Sequence, residues 1–82
     1  MLLAKVTGAV VPSVKDARLT GLRLLAAEAL AEPSAAPIVA ADTLGAGEGD
    51  TVLIATGQAA RLALPARDVP VDAAVVAIID EA

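Results

Sequence analysis

Residues Asp42-Thr43-Leu44-Gly45-Ala46-Gly47-Glu48-Gly49-Asp50, running directly into Thr51-Val52-Leu53-Ile54, decide how this chain folds. A glycine loop in a nucleotide-binding α/β layer follows a strand and opens a helix, whose N-terminus faces the phosphates. Here the loop opens onto Thr51 to Thr56, an apolar run that reads as a strand. The Lys-Ser or Lys-Thr pair of a P-loop is missing as well. The glycines therefore read as a tight strand connection that needs positive φ or close backbone approach. Asp42 and Asp50 flank this loop and read as turn caps.

Upstream, Ile38 to Ala41 reads as a short strand after the turn-rich linker Pro33 to Pro37. Downstream, Gly57 to Leu62 has room for one or two helical turns, with Pro65 ending the segment. Arg67-Asp68-Val69-Pro70 is a polar connector into Ala73 to Ile79, the last strand. Period two places Ala74, Val76 and Ile78 on one face of that strand and Val75, Ala77 and Ile79 on the other. Both faces are apolar, so both need cover. One can fill a small barrel. With so little helix in the chain, a neighbouring subunit is the expected cover for the other.

Leu2 to Val11 alternates as a half-buried strand, with Leu2, Ala4, Val6, Gly8 and Val10 against Lys5 and Thr7. Gly8 marks an expected bend or bulge. Pro12 and Ser13 end this strand, and Val14 to Thr20 is a charged loop. Gly21 to Glu32 reads locally as a helix, because Leu22, Leu25, Ala26 and Ala29 have helical spacing among strong helix formers. Several short strands with glycine punctuation point to a mainly β sandwich or barrel, and a five-stranded OB-type barrel matches the length.

The chain has 82 residues, enough for a single domain spanning 1–82. It is 57% hydrophobic, with a mean hydropathy of +0.75 and no Phe, Tyr or Trp. Its core must come from Leu, Val, Ile and Ala, which bring less area per residue than aromatics. A short, apolar chain of small side chains is expected to share surface with another subunit. No stretch approaches membrane-spanning length, and the start lacks a signal-peptide pattern, so a soluble cytoplasmic protein is expected.

Chemistry has little material. With no His and no Cys, and no carboxylate spacing that specifies a dyad, no catalytic residue, metal ligand or cofactor site is assigned. The expectation is a non-enzyme. Net charge is −4 and the basic residues are scattered, which argues against nucleic acid even for an OB-type barrel. Arg61 follows Ala59-Ala60 in an apolar helical turn and reads either as a solvated arginine with its stem on apolar surface or as the partner of a carboxylate such as Asp72, within the chain or across an interface. Asp72 has a second reading, as a cap where the chain enters the last strand.

Asp42 to Asp50, Gly57-Gln58-Ala59-Ala60-Arg61 and Pro70 to Asp80, in this order, resemble the vertex proteins of bacterial microcompartments, the ethanolamine-utilisation and carboxysome pentamer family. Val6-Thr7-Gly8 and Leu19-Thr20-Gly21 carry the resemblance weakly into the first half. It implies a small β-barrel with a short helix that assembles as a cyclic homopentamer and caps shell vertices. It also implies hexameric and pseudohexameric shell proteins as partners, within a shell in the bacterial cytoplasm. By resemblance, the segment after Thr20-Gly21 is a long strand rather than a helix. The candidate subunit interface is Arg61, Asp72, Val75, Ala77 and Ile79. Gly45, Ala46 and Gly47 are the candidates for lining the symmetry axis. Gln58 stands where the family often has Ser, and Ala82 ends the chain where many relatives continue into a tail, which implies a smaller subunit contact. The alternative is a small-ligand or nucleotide-binding module using the Gly45 to Gly49 loop.

Overall fold

A computed structural model describes residues 1–65 and 68–80 of the chain. Arg67, expected in the polar connector, lies outside the described residues, as do Glu81 and Ala82. Five strands, β1 (Leu2–Val10), β2 (Arg23–Ala29), β3 (Ile38–Asp42), β4 (Thr51–Thr56) and β5 (Ala73–Ile79), close into a barrel in the order β1-β2-β3-β5-β4. One short helix, α1 (Gln58–Leu62), connects β4 to β5, and Ala17–Leu19 form a single 3-10 turn. All strand pairs are antiparallel except the closing pair of β3 and β5, which meets in parallel at Ala41 with Ala74 and Asp42 with Val75. The expected five-stranded OB-like barrel is what forms.

Gly21 to Glu32 contains the strand that the resemblance implied, and shows why the local helical reading of that segment fails. Its central residues form β2, paired on one side with β1 and on the other with β3. Leu25 and Ala27 point inward, each 1% exposed, while Leu24, Ala26 and Glu28 point outward. Two ladders of backbone hydrogen bonds and burial of the central leucine outweigh a helix preference of a few tenths of a kcal/mol per residue.

The interior is filled by Ala4, Val6, Leu25, Ala27, Ala40, Ala46, Val52, Ile54, Ala73 and Val75. Half of these are alanines. A five-stranded barrel is narrow, and alternating small and branched side chains fill it where an aromatic ring would overpack it.

Two irregularities break strict alternation. In β1 the register shifts between Val6 and Gly8, leaving Thr7 without a partner across β2; this is the bulge that Gly8 signalled. The Thr7 hydroxyl donates to the Ala26 carbonyl at 3.1 Å. In β5, Val75 pairs with Ile54 and Ala77 with Leu53, so Val76 is an extra residue. The expected single face of Val75, Ala77 and Ile79 is therefore divided. Val75 lies inside the barrel, 4% exposed, whereas Ala77 and Ile79 share the outward face with Leu53 and Thr51.

The outer face of the first half of β5 is covered by the chain itself. Ala74 packs with Ala41, Ala60, Leu64 and Val69, with Leu19, Leu22, Leu24 and Val71 at the margin. Five residues of α1 and the segment behind them suffice for this cover, so no second subunit is needed there. Val69, expected in a polar connector, is 6% exposed for the same reason.

Candidate functional site

Surfaces left uncovered after the barrel has closed are the raw material for assembly. Leu3 pairs with Leu53, and Leu53 with Ala77, making an outward row across β1, β4 and β5. Lys5, Thr51 and Ile79 make the next row. Leu3 is 38% exposed, and Leu53, Ala77 and Ile79 are half-buried. Leu3 and Leu53 belong to this patch although the sequence reading omitted them. Strand pairing is the signal that joins them; the alternation of β1 and the apolar run of β4 were legible in advance.

The other interface candidates stand apart from that row. Arg61 is exposed on α1 and Asp72 is exposed just before β5. Among the described residues the ion pairs are Arg18 with Asp16 and Arg23 with Asp42, so Arg61 and Asp72 do not pair within the chain. The Asp72 main chain does tie the helix to the sheet: its carbonyl accepts from the Gly57 amide at 2.8 Å. Gly57 has φ 63° and ψ −136°, a conformation that glycine adopts readily, and this turns β4 into α1.

The glycine loop is a plug. Ala46 is 0% exposed and belongs to the barrel core, so its side chain faces inward and cannot line an outer axis. Thr43, Leu44, Gly45, Glu48 and Gly49 are the parts that face out, and Leu44 is 49% exposed. Gly45 has φ 88° and Gly49 has φ 89°, fulfilling the expected need for positive φ.

Asp42 holds the plug. Its side chain is fully buried and accepts from the amides of Leu44 (3.0 Å), Gly45 (3.2 Å) and Ala46 (2.9 Å). Arg23 Nη1 donates to the same carboxylate at 2.7 Å and also to the Ala46 carbonyl. Asp50 accepts from the Gly47 amide at 2.8 Å. Gly49 donates to the Val6 carbonyl and Val6 to the Asp50 carbonyl, extending the β1–β4 ladder into the loop. The capping roles expected of Asp42 and Asp50 are both present. Arg23 was not legible as their partner, because it lies on a different strand.

This bonding bears on the nucleotide alternative. A phosphate cradle needs free loop amides aimed at the anion. Here the amides of Leu44, Gly45, Ala46 and Gly47 already serve two carboxylates of the chain, and a strand rather than a helix follows. No cluster of three or more potential metal ligands occurs among the described residues, and no helix is long and apolar enough to cross a membrane.

Comparison with known proteins agrees with the geometry. Residues 1–80 match the family described as ethanolamine utilisation protein EutN/carboxysome. A carboxysome shell vertex protein of Thermosynechococcus vestitus is 46% identical over 98% of this chain and 84% of its own length. The solved structure of CcmL from Gloeobacter violaceus superposes with a TM-score of 0.91 at 38% identity, covering 100% of this chain and 88% of the other. A structure named GrpN pentameric microcompartment shell protein, from Rhodospirillum rubrum, superposes at 0.85 with 39% identity, covering 99% and 95%.

Proposed function

Because the chain belongs to the EutN/carboxysome family, we propose that it is a structural shell protein whose pentamers cap the vertices of a bacterial microcompartment. The observation that carries this reading is the match of the whole closed barrel to solved pentameric shell proteins. The job is geometric. Sheets of hexagonal tiles close only where pentagons interrupt them, so the protein must supply a five-fold ring with a rim that meets hexameric shell proteins. It works as a building block rather than as an enzyme, inside the bacterial cytoplasm as part of the shell. Neither nucleic acid nor membrane is among its partners.

The surface of a single subunit supports assembly. Its accessible area is 5047 Å², whereas a compact monomer of this mass exposes about 4,500 Å². A ring is built by heterologous contacts, in which one patch meets a different patch of the next copy. Leu3, Leu53, Ala77 and Ile79 form one such patch. Arg61 and Asp72, unpaired with each other inside the subunit, are assigned as charged contacts across the ring. Gly45 and Gly47 remain the proposed backbone lining near the axis, with the Ala46 side chain excluded.

Native mass spectrometry tests the reading. The wild-type chain is expected as a pentamer. Ile79→Asp places a charge in the apolar row and should shift it to monomers, with a smaller loss for Arg61→Ala. A chain that is monomeric over a wide concentration range overturns the pentamer, and intact rings in both variants overturn the assignment of these residues.

A further inference from the structure

At the end of the barrel that the plug closes, two strand ends have a neighbour on one side only. The parallel pairing of β5 with β3 stops at Val75 and Asp42, so Ala77 to Ile79 pair with β4 alone. β1 meets β4 only from Leu2 to Lys5, with Val6 bonded to Gly49 and Asp50, so Gly8 to Val10 pair with β2 alone. Among the described residues, no loop backbone bonds to either stretch. Ile78 shows how open the β5 end is. Ala4, Val52 and Ile78 make one row across β1, β4 and β5, on the face that lines the barrel. Ala4 and Val52 are 0% exposed, whereas Ile78 is 40% exposed. The wall that would flank Ile78 is missing, because the pairing with β3 ends before it. Natural sheets protect open edges with charges or proline. Ala77-Ile78-Ile79 and Gly8-Ala9-Val10 contain neither.

We infer that the end of β5 in one copy of this chain pairs edge to edge with the end of β1 in a second copy. Unpaired strand edges template pairing with another chain through their backbone donors and acceptors. The pentamer reading, on which this rests, supplies the second copy, and the two open edges place it. An edge that meets its own counterpart makes a two-fold pair and stops at two. Two different edges make a heterologous contact, which repeats around a ring. Gly8 and Ala9 bring little side-chain bulk to the junction, so the backbones can approach. The outward row of Leu3, Leu53 and Ala77 runs to the same β5 edge, so the paired strands carry that apolar patch on into the next subunit. A third stretch with one strand neighbour, Ile38 to Ala40, lies at the start of β3, away from the plug and behind Pro37, a residue that blunts an edge.

The chain has no cysteine, so introduced pairs report cleanly. Ile78→Cys is combined in turn with Ala9→Cys, Val10→Cys and Val11→Cys, oxidised on the full chain and run on a denaturing gel without reductant. At least one combination should give covalent multimers of up to five copies, and each single substitution should give none. Dimers from Ile78→Cys alone overturn the pairing of unlike edges. Multimers from Ile78→Cys with Val39→Cys, but from none of the β1 combinations, overturn the choice of β1. Hydrogen exchange supplies a readout without cysteine: amides of residues 77–79 should exchange at least about tenfold more slowly in the wild-type ring than in subunits separated by dilution. A pentameric wild type with neither cross-links nor slower exchange there overturns the edge pairing and leaves the vertex reading standing. A monomeric wild type in native mass spectrometry overturns both.

Discussion

Asp16 with Arg18 and Asp42 with Arg23 are the same chemical pair in two settings. Asp16 accepts from Arg18 Nε at 3.0 Å, from Nη2 at 2.9 Å and from the Arg18 amide at 2.8 Å, so its hydrogen bonding is as good as any in the molecule. Both side chains stand in solvent in the loop between β1 and β2. The Asp42 side chain has no solvent contact at all and supports the amides of three other residues. In water, each bond of the first pair replaces a bond to water, and exposed pairs contribute little. The Asp42 carboxylate is out of solvent, so its removal leaves the buried Ala46 amide without an acceptor and weakens the hold on its part-buried neighbours. What those bonds hold differs too: one pair shapes a surface turn, the other seats Ala46 in the core.

The sharpest way to break this contrast is to delete both carboxylates. Asp42→Ala should destabilise the chain by about 2–4 kcal/mol, the cost of leaving the buried Ala46 amide and its part-buried neighbours without their acceptor. Urea unfolding followed by far-ultraviolet circular dichroism at one fixed protein concentration reads this, since the chain has no Trp or Tyr for fluorescence. A loss no larger than that of Asp16→Ala would abolish the distinction. The glycines of the plug come next. Gly45→Ala forces a Cβ into φ 88° and should cost about 1–2 kcal/mol. Gly47→Ala should be close to neutral, because its φ is ordinary and the added Cβ would sit 3.9 Å from Asp50 Oδ2, a normal contact. Equal losses at the two positions would mean that space rather than φ governs the loop.

The smallest effect belongs to Asp16. The hydrogen bonds from the Arg18 side chain, and then from its amide, lower the Asp16 pKa from 3.8 to about 2. Such a group contributes stability above its unfolded value and loses it as pH falls through its folded value. Asp16→Asn should therefore shift the urea midpoint slightly at neutral pH, and the difference should vanish between about pH 4 and pH 2. A difference that persists at pH 2 would assign the effect to the turn geometry and not to the charge.

Much of the candidate site was legible from local chemistry. Asp42 and Asp50 were readable as caps because a short carboxylate at the edge of a glycine turn reaches amides a few residues away. Gly8 was readable as a bulge. Arg23 was not readable as a latch, since 19 residues separate it from Asp42 and only the pairing of β2 with β3 brings them opposite. Val75 was assigned to the wrong face because one extra residue, Val76, reverses parity for everything after it. Leu3 and Leu53 became one patch only when β1 and β4 paired.

The composition of the core, the positions of β1, β3, β4 and β5, the short helix, and the glycine plug with its flanking caps all follow from local sequence. These depend on residues close together along the chain, through alternation, capping and the conformational freedom of glycine. Packing of the whole barrel makes Arg23 to Ala29 a strand against its local helical preference, sets which side of β5 faces out beyond the bulge, and brings an arginine from another strand to fasten the plug. Each of these is settled by ladder register and closure of the barrel. The hydrogen bonds that settle them join residues distant in sequence, and together they outweigh the modest preferences of single residues.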